Sequence, residues 1–97
     1  MAKVLFIISY EIKPDKRGEY LNLIKNLSTQ IKQVGMEYDI YENKGKANHF
    51  YEVYSCKSMD EIDNLEDSLD DKTQELISVL AKLIKGKMTY QTLVGLE

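Results

Sequence analysis

A strand that is apolar on both faces, at the start of a chain of only 97 residues, constrains this protein more than any other feature. Val4-Leu5-Phe6-Ile7-Ile8 is an unbroken apolar run. After it the pattern of apolar residues reads strand, helix, strand, strand, helix, strand to the end of the chain. Two helices can cover only one face of a four-stranded antiparallel sheet, so a strand apolar on both faces needs cover from elsewhere. The chain has nothing left to supply that cover, and a second copy of itself is the simplest source. The reading is therefore an α+β fold, βαββαβ in order, that pairs with itself through the sheet.

The element boundaries follow from local chemistry. Pro14 ends the first strand, which runs from about Lys3 to Lys13, because proline has no ladder donor and restricts the residue before it. Asp15 is placed to cap the following helix. That helix carries a one-sided stripe of Tyr20, Leu23, Ile24, Leu27, Ile31 and Val34 at helical spacing. Gly35 sits where a left-handed terminal residue belongs. Met36 to Glu42 and His49 to Cys56 read as strands, joined by a turn at Asn43-Lys44-Gly45-Lys46-Ala47-Asn48. Ser58 and Glu61 have the spacing of a capping box. The helical region after them carries Ile62, Leu65, Leu69, Leu76, Ile77, Leu80 and Ile84, with a polar interval at Asp70-Asp71-Lys72-Thr73 that predicts a break. Gly86 is read as its cap and Met88 to Leu96 as the last strand.

Composition narrows the function classes. The chain is 43% hydrophobic and 30% charged, with a net charge of −3. Those are values of an ordinary soluble globular protein, and the acidic balance argues against nucleic acid as a partner. The first apolar run is too short to span a membrane, and Met1-Ala2-Lys3 leads straight into it without a cleavage site, so no membrane association is expected. One cysteine, Cys56, allows no internal disulfide, which makes a reducing cytoplasm the expected compartment.

Three stretches resemble the dimeric α+β-barrel superfamily, of the antibiotic-biosynthesis-monooxygenase type. Tyr10-Glu11-Ile12-Lys13-Pro14 is similar to that family's exit from strand one, and Tyr38-Asp39-Ile40-Tyr41-Glu42-Asn43 to its second strand. Asn48-His49-Phe50 followed by Ser58 resembles its turn exit and second helix cap. The resemblance covers the whole chain. It implies a ferredoxin-like monomer, residues 1–97 as a single domain, two copies of which pair into a barrel, and a ligand pocket between helices and sheet. The departures from the family pattern are equally informative. Haem-degrading members carry a ligating His on the second helical region and a Trp near the end of the third strand. This chain has no Trp and no His between Ser58 and Gly86. In a gapless overlay the family's Glu-x-Trp falls on Tyr54 and Cys56, and a common helix-two His falls on Leu65. Haem degradation is not expected, and no cofactor is assigned.

Strand alternation groups Val4, Phe6, Ile8, Tyr10 and Ile12 on one face, the one expected to meet the helices. The resemblance puts Phe50, Glu52, Tyr54 and Cys56 on the same side. Glu52, a carboxylate between Phe and Tyr, is the candidate general base, since desolvation raises such a pKa. The alternative is a solvated Glu at the sheet edge or paired with a Lys. Phe6, Ile8, Tyr10, Phe50 and Tyr54 are the candidate ligand-binding residues for a small aromatic or lactone-like molecule, with no metal site. Of seven tyrosines, six fall in strands, where Tyr is also an ordinary core filler with its hydroxyl at a rim.

His49 titrates near neutrality in principle but abuts the turn and reads as exposed. Cys56 reads as a small buried hydrophobe. Seven acids between Asp60 and Asp71 lack calcium-loop spacing and read as a solvated helix face. RNA-recognition domains and acylphosphatases share the element order. Lys46-Ala47-Asn48-His49-Phe50 lacks the glycines of the first, and Pro14-Asp15-Lys16-Arg17-Gly18 is not the anion loop of the second. Within the barrel fold two readings stand. One is a cofactor-independent, monooxygenase-like or isomerase enzyme; the other is a non-catalytic binding or structural dimer whose pocket is filled by its own side chains.

Overall fold

The computed structural model describes residues 3–96, except for the side chains of Glu66 and Ser68; the Met1 and Ala2 lead-in lies outside it. Strand β1 (Val4–Ile12) is followed by a single 3-10 turn, Pro14–Lys16, which runs directly into helix α1 (Arg17–Gln33). Asp15 therefore lies inside the turn and is not the helix cap, and Lys16 at the cap makes no side-chain bond. Proline's fixed φ suits such a first turn and starts the helix without a capping side chain.

Helix α1 buries Tyr20, Leu23, Ile24, Leu27 and Ile31. Val34 drops out of that stripe: the helix has ended, and the side chain is 45% exposed. Gly35, at φ +87°, then turns the chain into β2 (Glu37–Glu42). Strand β3 (His49–Cys56) follows a turn in which Asn48 adopts φ +68°, a conformation Asn tolerates better than most residues. Glu42 accepts the Asn48 amide, and the Arg17 guanidinium bonds both Glu42 oxygens (2.5 and 2.9 Å) and Asn48 Oδ1 (3.0 Å). Glu42 is held down to about pKa 2, first by the Arg17 bond and then by the Asn48 amide.

The expected break in the second helical region takes the form of two short helices, α2 (Met59–Asp63) and α3 (Leu65–Ser68), before α4 (Asp71–Leu83). Asp70 caps α4 by accepting the Thr73 amide at 2.8 Å. The capping box at Ser58 does not close as expected. Ser58 makes no cap bond, while Glu61 reaches back one residue further and accepts the Lys57 amide. Helix α4 passes into β4 (Ile84–Val94) with no loop, because Ile84 turns extended at ψ 135°. Gly86 consequently lies within β4 rather than on a helix end. At φ +84° it sits where the β1–β4 register shifts: Ser9 faces Thr89 but Glu11 faces Lys85. One residue of β1 thus stands opposite residues 86–88, a bulge whose positive φ glycine adopts without backbone strain.

The sheet is antiparallel throughout, in the order β2-β3-β1-β4. The core draws Tyr10, Ile12, Tyr38, Phe50 and Tyr54 from one sheet face and Tyr20, Leu27, Ile31, Leu80 and Leu83 from the helices. Leu5, Ile7, Tyr51 and Val53 point to the opposite face, where they are half-buried and form no part of that core. No helix among the described residues is long and apolar enough to cross a membrane.

Candidate functional site

Register decides what surrounds Glu52. On the helix-facing side, Tyr38, Tyr54 and Phe6 form one cross-strand row, and Ile40, Glu52, Ile8 and Tyr90 form the next. Glu42, Phe50 and Tyr10 form the third. Glu52 is thereby flanked by aromatics along β3 and across the neighbouring strands, and α1 lays Tyr20 over them. The result is a carboxylate only 2% exposed, beneath the helices and away from the sheet edge.

Its hydrogen bonds come from phenols. Tyr38 Oη donates to Glu52 Oε1 at 2.5 Å, and Tyr54 Oη donates to the same oxygen at 3.4 Å. Tyr10 also engages the carboxylate, while its hydroxyl lies 2.9 Å from that of Tyr20. The rings pack edge to face or tilted: Tyr10 on Tyr20 at 5.8 Å, Tyr20 on Phe50 at 4.3 Å, Tyr38 on Tyr54 at 4.8 Å. Burial raises the Glu52 carboxyl above the ordinary range, and the bonds from Tyr38, Tyr10 and Tyr54 pull the other way without overcoming it. The four phenols are themselves pushed far up, chiefly by burial. They therefore act as hydrogen-bond donors rather than as titrating groups at neutral pH.

Of the residues singled out from the sequence, Tyr10, Phe50 and Tyr54 are packed around Glu52 as fully buried neighbours, whereas Phe6 and Ile8 are half-buried. Phe6 also stacks on Tyr90 (6.1 Å, 18°), which is 60% exposed at the outer strand. Tyr90 stands across Ile8 from Glu52 in the cross-strand row. In the sequence, Tyr38 and Tyr20 stand out only as a strand aromatic and a helix-stripe residue. The alternation of Tyr38 with Ile40 on β2 held the clue for Tyr38, because it places both on the face of Glu52. Nothing local marked Tyr20, which reaches the site only through tertiary packing.

The other sequence candidates lie elsewhere. His49 is on the opposite face, about one-third exposed, 3.5 Å from Glu11, whose other oxygen lies 3.9 Å from Lys85. Cys56 is buried at the end of β3 and donates to the Ser58 carbonyl at 3.2 Å. Burial pushes its thiol upward, away from a reactive thiolate. It borders a cleft of about 480 Å³ at the junction of α1, β2 and α2, and none of the nominated ligand residues lines that cleft. A smaller cleft of about 220 Å³ touches Tyr10 and Phe50, together with residues of the opposite face such as Ser9 and Tyr51. Neither cleft reaches Glu52. No group of His, Cys, Asp or Glu among the described residues is placed to hold a metal ion.

Neither a family model nor a curated protein matches the sequence. Solved structures do match. An antibiotic biosynthesis monooxygenase superposes with a TM-score of 0.82 at 18% identity, over 100% of both chains. A conserved protein from Methanosarcina mazei Go1 gives 0.84 at 18% identity, covering 96% of this chain and 92% of its own. A NIPSNAP family protein from Agrobacterium tumefaciens gives 0.75 at 22% identity, covering 94% and 90%. At such identities the likeness is one of architecture: the chain has the ferredoxin-like α+β fold of the antibiotic-biosynthesis-monooxygenase type.

Proposed function

We propose that this protein is a small-molecule enzyme, monooxygenase-like or an isomerase, that removes a proton from a small aromatic or lactone-like substrate without a cofactor. Glu52 is the base, and Tyr10 and Tyr54 orient the substrate beside it. The observation that carries this reading is Glu52 itself. A carboxylate enclosed to 2% exposure with only phenols as partners is costly to the fold, and such groups gather at functional sites. Its raised pKa brings the base toward neutral pH, where general-base catalysis works best. The proposed approach for substrate is past Tyr90, which is 60% exposed at the outer end of the Glu52–Ile8–Tyr90 row and carries the Phe6 ring stacked on it from the next row.

The protein is proposed to act as a homodimer in the cytoplasm. Two features support the pairing. Among the described residues, the helices contribute to the core on the other face, and Leu5, Ile7, Tyr51 and Val53 form no part of that core. Strand β4 lies at the sheet edge, and the sequence from Met88 to Leu96 has no charged residue to discourage pairing with another strand. A monomeric mass by light scattering at micromolar concentration would defeat it.

A second reading is favoured by the closure of the site: Phe50 and Tyr54 are buried against Glu52, as in a binding or structural dimer filled by its own rings. A thermal-shift screen against phenols, quinones, lactones, flavin and haem separates the two. A ligand at about 100 times its Kd adds roughly 2.7 kcal/mol. Stabilisation by an aromatic or lactone, with turnover abolished in Glu52→Gln, supports the enzyme. Silence across the panel supports the filled dimer, and unimpaired turnover in the Gln variant removes Glu52 as the base.

A further inference from the structure

Among the groups around Glu52, Tyr38 makes the shortest contact and comes from a strand that contributes nothing else to the proposed reaction. Its side chain is 1% exposed, locked on one side by the Tyr54 ring at 4.8 Å. Its hydroxyl has a fixed aim, the Oε1 atom of Glu52 at 2.5 Å. Tyr54 addresses that same oxygen from a longer distance, 3.4 Å. Tyr38 and Tyr54 thus both bond Oε1, while Tyr10 also reaches the carboxylate from β1.

We infer that Tyr38 is a positioning residue for Glu52: its phenol pins Oε1 and leaves Oε2 as the oxygen that receives the substrate proton. In that step the substrate's bond to hydrogen breaks, its electron pair stays on the substrate, and the proton forms a bond to Oε2. Tyr38 keeps its own proton throughout and touches no substrate atom. The same bond favours the ionised form of Glu52, opposing the desolvation that would otherwise leave the base protonated. The inference rests on Glu52 being the base, but its test reads the carboxyl group directly.

The experiment is a carbon-13 NMR titration of the Glu52 side-chain carboxyl, assigned by its loss in Glu52→Gln, in the wild type and in Tyr38→Phe. A bond from phenol to carboxylate of ordinary charge-assisted strength predicts an upward shift of about one to two pH units in Tyr38→Phe. Tyr20→Phe, which removes a buried phenol whose measured bond goes to Tyr10 rather than to Glu52, should move the midpoint far less. An unchanged midpoint in Tyr38→Phe, or an equal shift in Tyr20→Phe, overturns the inference.

If Tyr38→Phe does not fold, the wild type still answers. The Tyr38 hydroxyl proton should give a slowly exchanging downfield resonance that Glu52→Gln moves upfield, and a resonance indifferent to that change overturns the proposal. A shifted midpoint without any turnover removes the enzymatic reading and leaves the coupling of Tyr38 to Glu52 in place.

Discussion

Burying Glu52 should leave a signature in how stability depends on pH. Its carboxyl is raised from the ordinary value of 4.5, first by desolvation. Between 4.5 and the raised value the folded protein holds a proton that the unfolded chain has released. Stability then falls as pH rises, by up to about 1.4 kcal/mol per pH unit for one proton, and levels off once the folded carboxyl has also ionised. The groups that face Glu52 do not blur this. Tyr10, Tyr20, Tyr38 and Tyr54 are all raised well above neutrality and stay protonated. Glu42 and Asp70 are lowered, by Arg17 and by the Thr73 hydrogen bond respectively, so their contributions are lost only at acid pH, below the window.

Glu52→Gln removes the titration while keeping an oxygen that Tyr38 can bond. Thermal unfolding of both proteins at pH 5, 6, 7 and 8, at one protein concentration, should therefore give diverging curves. The wild type should lose roughly 5–10 °C per pH unit relative to the variant until its carboxyl has ionised, given about 4–8 °C per kcal/mol for a domain of this size. Every group the two proteins share cancels in the difference. Parallel curves, or a wild type that gains on the variant as pH rises, would refute the claim that Glu52 is raised by burial.

Two predictions test the scaffold around the site. Ile31→Ala, at a position with 0% exposure under the sheet, should cost about 2–5 kcal/mol in urea unfolding, and a loss under about 1 kcal/mol would mean the helix face is not packed as described. Gly86→Ala places a side chain at φ +84° in the β4 bulge, where there is open space around the Cβ. The backbone alone should then cost about 1–2 kcal/mol, and an unchanged midpoint would place the bulge elsewhere.

Most of the fold was legible because it follows from period and punctuation. The alternation in His49–Cys56 and the helical spacing of Tyr20 to Ile31 each admit one kind of element, and Gly35 marks a stop that the backbone confirms with its positive φ. The misread positions are those where two local rules compete. Asp15 resembles a cap, but Pro14 starts a 3-10 turn that carries the chain past it. Gly86 resembles a helix stop, but Ile84 has already turned extended, and the glycine serves a bulge instead. Ser58 and Glu61 have the right spacing, yet Glu61 finds the Lys57 amide first.

The sequence by itself determined the order of elements and the antiparallel α+β class, because side-chain period is a local property of the backbone; the family resemblance, rather than the period, put Glu52 on the helix-facing side. Only the tertiary structure decided what Glu52 touches. Tyr38 on β2, Tyr10 on β1 and Tyr20 on α1 come from three separate elements, and strand order and register bring their hydroxyls to one carboxylate and to each other. It also decided that Glu52 is enclosed rather than solvated at an edge, since burial is the sum of what packs above a residue and no stretch of sequence contains that sum.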